Sequence, residues 1–339
     1  MDIKSLYPDE LKTLIMDMGE PGFRAGQIFE WMHGKLVCSY EEMSNLSIKL
    51  RDRLSEEYPL IGLELIKVQE SKEDGTRKYL FGLPDGNMVE SVFMRYKHGN
   101  SVCISSQVGC RMGCRFCAST IDGLERNLEA SEMLEQIYSV IRDTKERVSN
   151  VVVMGIGEPM DNYDNLVRFI RLITDPKGYD LSGRNITVST CGIVPGIYKL
   201  ADEHLSLTLA LSLHAPTDEL RRTIMPVANT YSIEQLIEAC TYYYETTGRR
   251  ITLEYSLIAG VNDSPENAEK LSGIAKKIGA HINLIPVNSV KERDYKRSDR
   301  SAIEAFKNKL EKNANNVTIR REMGQDIDGA CGQLRRKHL

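Results

Sequence analysis

No stretch of this 339-residue chain approaches the roughly 18 consecutive apolar residues that a membrane-spanning helix needs. The opening Met1-Asp2-Ile3-Lys4 starts no apolar run, so no secretory leader is read there. No internal repeat or low-complexity tract is evident, which sets aside a repeat array. There is no excess of positive charge either, and a net charge of −4 by itself points to no nucleic-acid partner. Cysteine is present, but eight in so long a chain, three of them in one octapeptide, argue for reduced thiols rather than a disulfide framework. The expectation is a cytoplasmic globular protein, built as one extended domain or a main domain with a small appendage.

The octapeptide is Cys110-Arg111-Met112-Gly113-Cys114-Arg115-Phe116-Cys117. Its C-x3-C-x2-C spacing is tight enough for three thiolates to meet one inorganic cluster, and a four-iron cluster normally takes four. Three ligands leave one iron open, and an open position is what makes a metal site catalytic rather than structural. A four-cysteine zinc site completed by Cys103 is the competing reading. Against it, Cys103 and Cys110 are too far apart for a paired-thiol knuckle, and Ile104-Ser105-Ser106-Gln107-Val108-Gly109 between them reads as a strand end and loop.

Charge is unevenly spread. Residues 291–339 hold 13 Lys and Arg against 8 Asp and Glu, a local +5 that leaves −9 on the rest. Such a tail suits a phosphate-facing patch and a solvated surface equally. Residues 8–58 read as helices over Pro8–Met18, Gly26–His33 and Tyr40–Tyr58, with breaks at Gly19-Glu20-Pro21-Gly22 and near Gly34. Their apolar stripe (Leu11, Leu14, Ile15, Met18) is expected to be core. From Leu60 to Met94 the period falls to two, and the turn signals Asp74-Gly75 and Pro84-Asp85-Gly86 predict a small antiparallel sheet. Alternation places Glu90 on one face with Met88 and Val92, where apolar surroundings would raise its carboxyl pKa.

Beyond the octapeptide, strands and helices alternate. Strands are expected over Asn150–Met154, Asn185–Ser189, Ser206–Leu213, Ile251–Leu257, His281–Ile285 and Val317–Arg320. Helices are expected over Ser131–Arg147, Tyr163–Thr174, Gly196–Glu203, Ile233–Thr247, Pro265–Ile278 and Ser301–Asn313. The pattern predicts an α/β fold, a partial barrel of about six βα units. The division expected is a helical accessory domain over 1–58, an antiparallel extension over 59–96, the barrel over 97–325 and a C-terminal loop and basic tail over 326–339.

In such barrels the working residues lie at the carboxyl ends of the strands. Those ends offer Gly157 and Glu158 within Gly155-Ile156-Gly157-Glu158-Pro159, then Ser189, Ser212-Leu213-His214 and Asn288. The glycines would let a ligand approach the backbone, and the Glu158 carboxylate could receive an ammonium group. Each residue alone has a plain alternative: a turn acid, a core histidine, an Asx turn. Their convergence on the end that holds the cysteine loop favours a ligand pocket. Near the C-terminus, Cys331 lies in the polar, glycine-rich Gly324-Gln325-Asp326-Ile327-Asp328-Gly329-Ala330-Cys331-Gly332-Gln333-Leu334, a setting that looks made for access rather than packing.

The octapeptide resembles that of radical S-adenosylmethionine (SAM) enzymes. Taken with Cys103, Ile104–Gly109, Met154–Pro159 and Asp326–Leu334, the chain resembles, over nearly its whole length, the dual-specificity adenine-C2 methyltransferases of 23S rRNA and tRNA. Gly329 departs from the family's usual alanine. The resemblance implies a [4Fe-4S] cluster on Cys110, Cys114 and Cys117, and SAM held by Gly157, Glu158, Ser189, Ser212, Leu213, His214 and Asn288. It also implies an electron donor such as flavodoxin or ferredoxin, and a monomer. Adenine C2 is a poor nucleophile, whereas a thiolate attacks a sulfonium methyl readily. The family route therefore starts with methylation of Cys331 by one SAM. A 5′-deoxyadenosyl radical from a second SAM then activates that methyl group, which adds to C2. Release falls to Cys103, by attack on the Cys331 sulfur to leave a transient disulfide; the C2 proton goes either to Glu90, which matches the family's proton acceptor, or to Cys103. A related group methylates C8 and confers antibiotic resistance. It carries cysteine where this chain has Val108 and lacks the proline found here at Pro159, so both positions favour C2.

Overall fold

The structure, a computed structural model, describes residues 2–287 and 294–327. The chain opens with three short helices, α1 (Pro8–Asp17), α2 (Phe23–Phe29) and α3 (Ile48–Glu57). Pro8 at the first helical position and the Glu10 carboxylate, which accepts the Tyr7 N–H at 2.8 Å, start α1. Two sequence expectations shift here. The second helix begins earlier than expected, at Phe23, and continues through a wider π turn over Glu30–Gly34. The third is not continuous from Tyr40: a 3₁₀ turn covers Tyr40–Glu42, and a new helix starts where the Ser47 hydroxyl accepts the Leu50 N–H. The apolar stripe is core as expected, and Leu11, Ile15, Ile28, Phe29, Leu50 and Leu54 belong to the same buried cluster as the barrel interior. A fully buried ion pair, Lys4 Nζ to Glu135 at 2.6 Å, fastens this region to the barrel.

Four antiparallel strands follow: β1 (Glu64–Glu70), β2 (Arg77–Gly82), β3 (Met88–Tyr96) and β4 (Gly99–Ile104). A short ribbon, β5 (Gln107–Gly109) with β6 (Leu124–Asn127), brackets the cysteine loop. The parallel strands are β7 (Val148–Val153), β8 (Ile186–Thr190), β9 (Thr208–Ser212), β10 (Thr252–Leu257), β11 (His281–Pro286) and β12 (Val317–Ile319). Their crossovers carry α4 (Ala130–Thr144), α5 (Tyr163–Ile173), α6 (Val194–Asp202), α7 (Asp218–Ile224) with α8 (Ile233–Thr247), α9 (Pro265–Lys277) and α10 (Arg300–Lys312). These ranges match the expected alternation to within a few residues. The ribbon and α7 are additions: three or four residues of strand and two turns of helix are too short for a periodic signal.

The antiparallel strands do not form a sheet of their own. All but β5 and β6 join one ten-stranded sheet in the order β1-β2-β3-β4-β7-β8-β9-β10-β11-β12. β4 is the seam, antiparallel to β3 on one side and parallel to β7 on the other. The parallel portion therefore has seven strands and six crossovers, and its strands end on one side. No helix among the described residues is long and apolar enough to cross a membrane.

Candidate active site

At the carboxyl ends of the parallel strands lies a cavity of about 650 Å³. The loop after β5 supplies Cys110, Cys114 and Cys117 to its wall. Backbone hydrogen bonds shape that loop: Cys110 N–H donates to Gly123 (2.7 Å), Arg115 N–H to Ile224 (2.9 Å) and Cys117 N–H to Cys114 (3.1 Å). The Thr120 hydroxyl donates to the carbonyls of Cys114 and Cys117. Burial pushes the Cys110 thiol up to about 12 and the Cys114 thiol up as well, and the charge of neighbouring loop thiols adds to both shifts. Cys110 and Cys114, crowded in a dry wall, favour their neutral form until a cation joins them, and iron would supply that charge. Among the described residues, no three His, Cys, Asp or Glu side chains are grouped to hold a single metal ion. Cys103 is not grouped with the loop thiols: it sits in β4, paired with Val92 of β3, and Arg320, Lys78 and Glu90 are among the charges acting on it. The donor set fits a three-thiolate cluster site.

The strand ends provide the rest. Gly157, Glu158, Ser189, Ser212 and His214 all line the cavity, as the sequence led us to expect. Glu158 is buried, and its carboxylate accepts the N–H groups of Met160 (3.1 Å) and Cys191 (2.7 Å). Burial raises its pKa, and these donors offset part of that rise. The Ser189 and Ser212 hydroxyls meet at 3.3 Å. His214 Nδ1 accepts the Ser256 N–H at 2.9 Å, which puts the ring proton of the neutral tautomer on Nε2. Burial lowers its pKa to about 3, so the ring is neutral at physiological pH. Its edge meets Phe116 of the cysteine loop, with centroids 4.9 Å apart.

Three expectations need correction. Leu213 does not line the cavity; its side chain is fully buried in the main core, while its N–H and carbonyl bond to Glu254 and Arg221. Gly155 and Gly157 make room for protein as well as lining the cavity: a Cβ on Gly155 would lie 2.6 Å from the Ile104 carbonyl oxygen, and one on Gly157 2.7 Å from the Gln107 side chain. Glu90 does not face purely apolar surroundings: Lys78 Nζ stands 3.0 Å from its carboxylate, both groups being buried. Strand β2 brings in that partner, and nothing near Glu90 in the sequence announces it. Asn288 and Cys331 lie outside the described residues.

Cys103 lines the cavity, on the same face of the sheet as Glu90. Burial raises its thiol pKa, and Arg320 and Lys78 are among the groups opposing that shift. Cys191, Glu254 and Arg320 also line the cavity and were not singled out as site residues. Cys191 follows the strand-end pair Ser189-Thr190. Glu254 alternates with Ser256 in β10, and Arg320 closes the expected last strand, so the strand-end rule could have found all three. The chain then runs along the rim, where Gly324, Gln325 and Ile327 contribute. The β1–β2 turn holds this segment: Gly324 N–H donates to Asp74 (3.0 Å), and Lys72 N–H donates to Asp326 (2.8 Å).

Comparison with known proteins agrees with this geometry. The family model described as the radical SAM superfamily matches residues 104–271, and the one described as the ribosomal RNA large subunit methyltransferase N-terminal domain matches residues 1–59. A probable dual-specificity RNA methyltransferase RlmN of Lachnospira eligens is 63% identical over 100% of this chain and 97% of its own length. One from Lachnoclostridium phytofermentans is 61% identical over 100% of this chain and 95% of its own. The crystal structure of a radical SAM methyltransferase from Sphaerobacter thermophilus superposes with a TM-score of 0.94 at 40% identity, covering 98% of each chain. With the three-thiol loop, the strand-end pocket and these relatives in agreement, the chain belongs to the dual-specificity RNA methyltransferases of the radical SAM superfamily, which use a [4Fe-4S] cluster and SAM.

Proposed function

We propose that this chain methylates C2 of an adenine in 23S rRNA and in tRNA by way of a methylated Cys331. The carrying observation is that Cys103, the cluster-loop thiols and the start of the C-terminal segment border one cavity. Ile327 lies on that rim, and four residues from there to Cys331 can span at most about 14 Å. That reach supports a Cys331 able to serve the same space as Cys103. The C8 alternative is not favoured, since the relatives bear the dual-specificity name and this chain keeps Val108 and Pro159.

Cys110, Cys114 and Cys117 would hold the cluster, which would supply the electron for radical chemistry on SAM. Glu158, Ser189, Ser212 and His214 present acceptors and donors at the strand ends to orient SAM, with Asn288 beyond β11 as a further contact. Cys331 accepts a methyl group as nucleophile. Glu90 takes the C2 proton, and the Cys103 thiolate attacks the Cys331 sulfur. The S–S bond forms as the S–CH2 bond breaks, the electron pair passes to the methylene carbon, which takes a proton to become the product methyl group, and the disulfide must be reduced again. The target adenine must leave its stack to enter a cavity of this size, which suits a loop in the RNA. The N-terminal helical region and the basic C-terminal segment contact the RNA backbone. A flavodoxin or ferredoxin supplies electrons, and the protein acts in the cytoplasm as a monomer.

The test is mass spectrometry of purified protein for a methyl group on Cys331. Cys331→Ala should abolish methylation while cluster absorbance persists, and full turnover by that variant would end the two-cysteine reading. Cys103→Ala should accumulate an RNA–protein adduct, and clean release would reassign it.

A further inference from the structure

The register of β2, β3 and β4 sets Lys78 opposite Val92 and Val92 opposite Cys103, three residues in one row across the sheet. Glu90 stands two residues from Val92 and therefore on the same face. Lys78 is 0% exposed, and its ammonium lies 3.0 Å from the Glu90 carboxylate. Dehydrating two charges costs several kcal/mol for each, and a well-packed apolar pair of similar volume often does as well or better. Stability alone gives little reason for an ion pair in the middle of a sheet. Its position beside a cavity-lining thiol gives a better one.

We propose that Lys78 is a positioning residue shared by Glu90 and Cys103, so that proton uptake by Glu90 turns the local field toward the Cys103 thiolate. The inference rests on the roles of Glu90 and Cys103 proposed above. While Glu90 is a carboxylate, its charge offsets the ammonium and opposes ionisation of Cys103. Once Glu90 has accepted a proton, the ammonium acts on the sulfur without that opposition. Thiolate is the form that attacks sulfur, so the proton transfer from the base and the release step become ordered in time. The proton that Cys103 loses passes to water in the cavity. Burial pushes the Cys103 thiol up; Arg320 and then Lys78 pull it down, and Glu90 pushes it up, which matches the signs required. Arg320 comes from just beyond β12, Lys78 from β2 and Glu90 from β3, while Glu158, Glu254, Arg297, Arg321 and Glu322 are the other charged side chains on the same cavity.

The experiment is the pH profile of Cys103 alkylation by iodoacetamide. It uses the full chain with cluster bound and RNA absent, and peptide mass spectrometry reads the product. Glu90→Gln imitates the protonated acid and should move the Cys103 titration down by about one pH unit, a tenfold faster alkylation at neutral pH. Lys78→Met should move it up, Lys78→Arg should restore it, and in the Lys78→Met, Glu90→Gln double variant the downward shift should largely vanish. If Lys78→Met does not fold, the Glu90→Gln and Lys78→Arg profiles still decide. An unchanged or upward shift in Glu90→Gln would overturn the proposal. Because no methyl transfer is involved, that result would leave the two-cysteine reading intact, whereas clean product release by Cys103→Ala would strike that reading alone.

Discussion

The two walls of the cavity are built on different plans. One is the cysteine loop with the ends of β8 and β9, made of thiols, hydroxyls and a neutral imidazole, and most of its residues are neighbours in sequence. The other joins β3 and β4 to the segment after β12 and carries Cys103 and Arg320, with the buried Lys78–Glu90 pair next to them in the same sheet, so that its residues come from places up to 242 apart in sequence. A wall made of a short motif can be read from spacing, because the loop itself sets the geometry. A wall assembled by strand pairing becomes visible only when the register is known. The difference also separates tasks: the first wall is suited to hold cofactors, and the second to move protons and sulfur.

The largest expected effect lies in the first wall. Cys114→Ala removes one of the two buried loop thiols and should abolish iron retention and activity together, checked by iron and sulfide analysis after anaerobic reconstitution. Far-ultraviolet circular dichroism should change little, since backbone hydrogen bonds shape the loop. Iron retained at full stoichiometry would mean that the loop is not the ligand set.

In the second wall, the largest effect should come from Lys78→Met. It leaves the buried Glu90 charge without its ammonium at 3.0 Å, and loss of one member of such a pair costs about 3–5 kcal/mol. Denaturant unfolding should show that loss, and the double variant Lys78→Met, Glu90→Gln should recover much of it. Equal destabilisation in both would mean that shape, not charge, dominates this wall. This pair also marks how far the sequence could be read. Alternation put Glu90 on the correct face with Val92, but Lys78 belongs to a different strand and looks like any surface lysine on a turn-flanking segment. The expected apolar environment failed for that reason. Leu213 failed for another: a strand-end triplet Ser212-Leu213-His214 alternates, so if Ser212 and His214 face the cavity, Leu213 must face the core. The helix–strand order was legible because each parallel strand and its crossover carry a strong period. The union of the antiparallel strands with the barrel was not, because pairing along β4 leaves no local trace.

A smaller effect is expected where the second wall meets the C-terminal segment. Although partial burial works against it, hydrogen bonds from Gly324, Thr76 and Ser71 hold the Asp74 carboxyl down to about 2. A depressed carboxylate contributes stability that is complete above its unfolded pKa near 4 and is lost as pH falls through the folded one. Docking of residues 324–327 on the β1–β2 turn should therefore be intact at neutral pH and loosen between about pH 4 and pH 2. Asp74→Ala should loosen it at neutral pH, seen as faster proteolysis after residue 321 and a several-fold lower turnover, with iron content unchanged. Loss of iron in that variant would show that the two walls are not separable.

The smallest effect sharpens the comparison most. Cys191 lies in the first wall beside Cys114 and Glu158, and a fourth thiol there is the obvious candidate to close the open iron. Much of its structural work is done by the backbone: the N–H of Cys191 donates to Glu158 at 2.7 Å and its carbonyl accepts from Arg221 at 2.5 Å, while the thiol adds a weaker hydrogen bond to the Glu158 carboxylate. Burial and the neighbouring Glu158 push its thiol well above the ordinary range, which favours a neutral S–H. Cys191→Ala keeps both backbone contacts and should cost about 1 kcal/mol for the lost volume, with iron content and turnover near the parent level. A variant that loses iron would make Cys191 a ligand. The cluster would then be fully held by protein, and the first wall would lose the open coordination site on which its task depends.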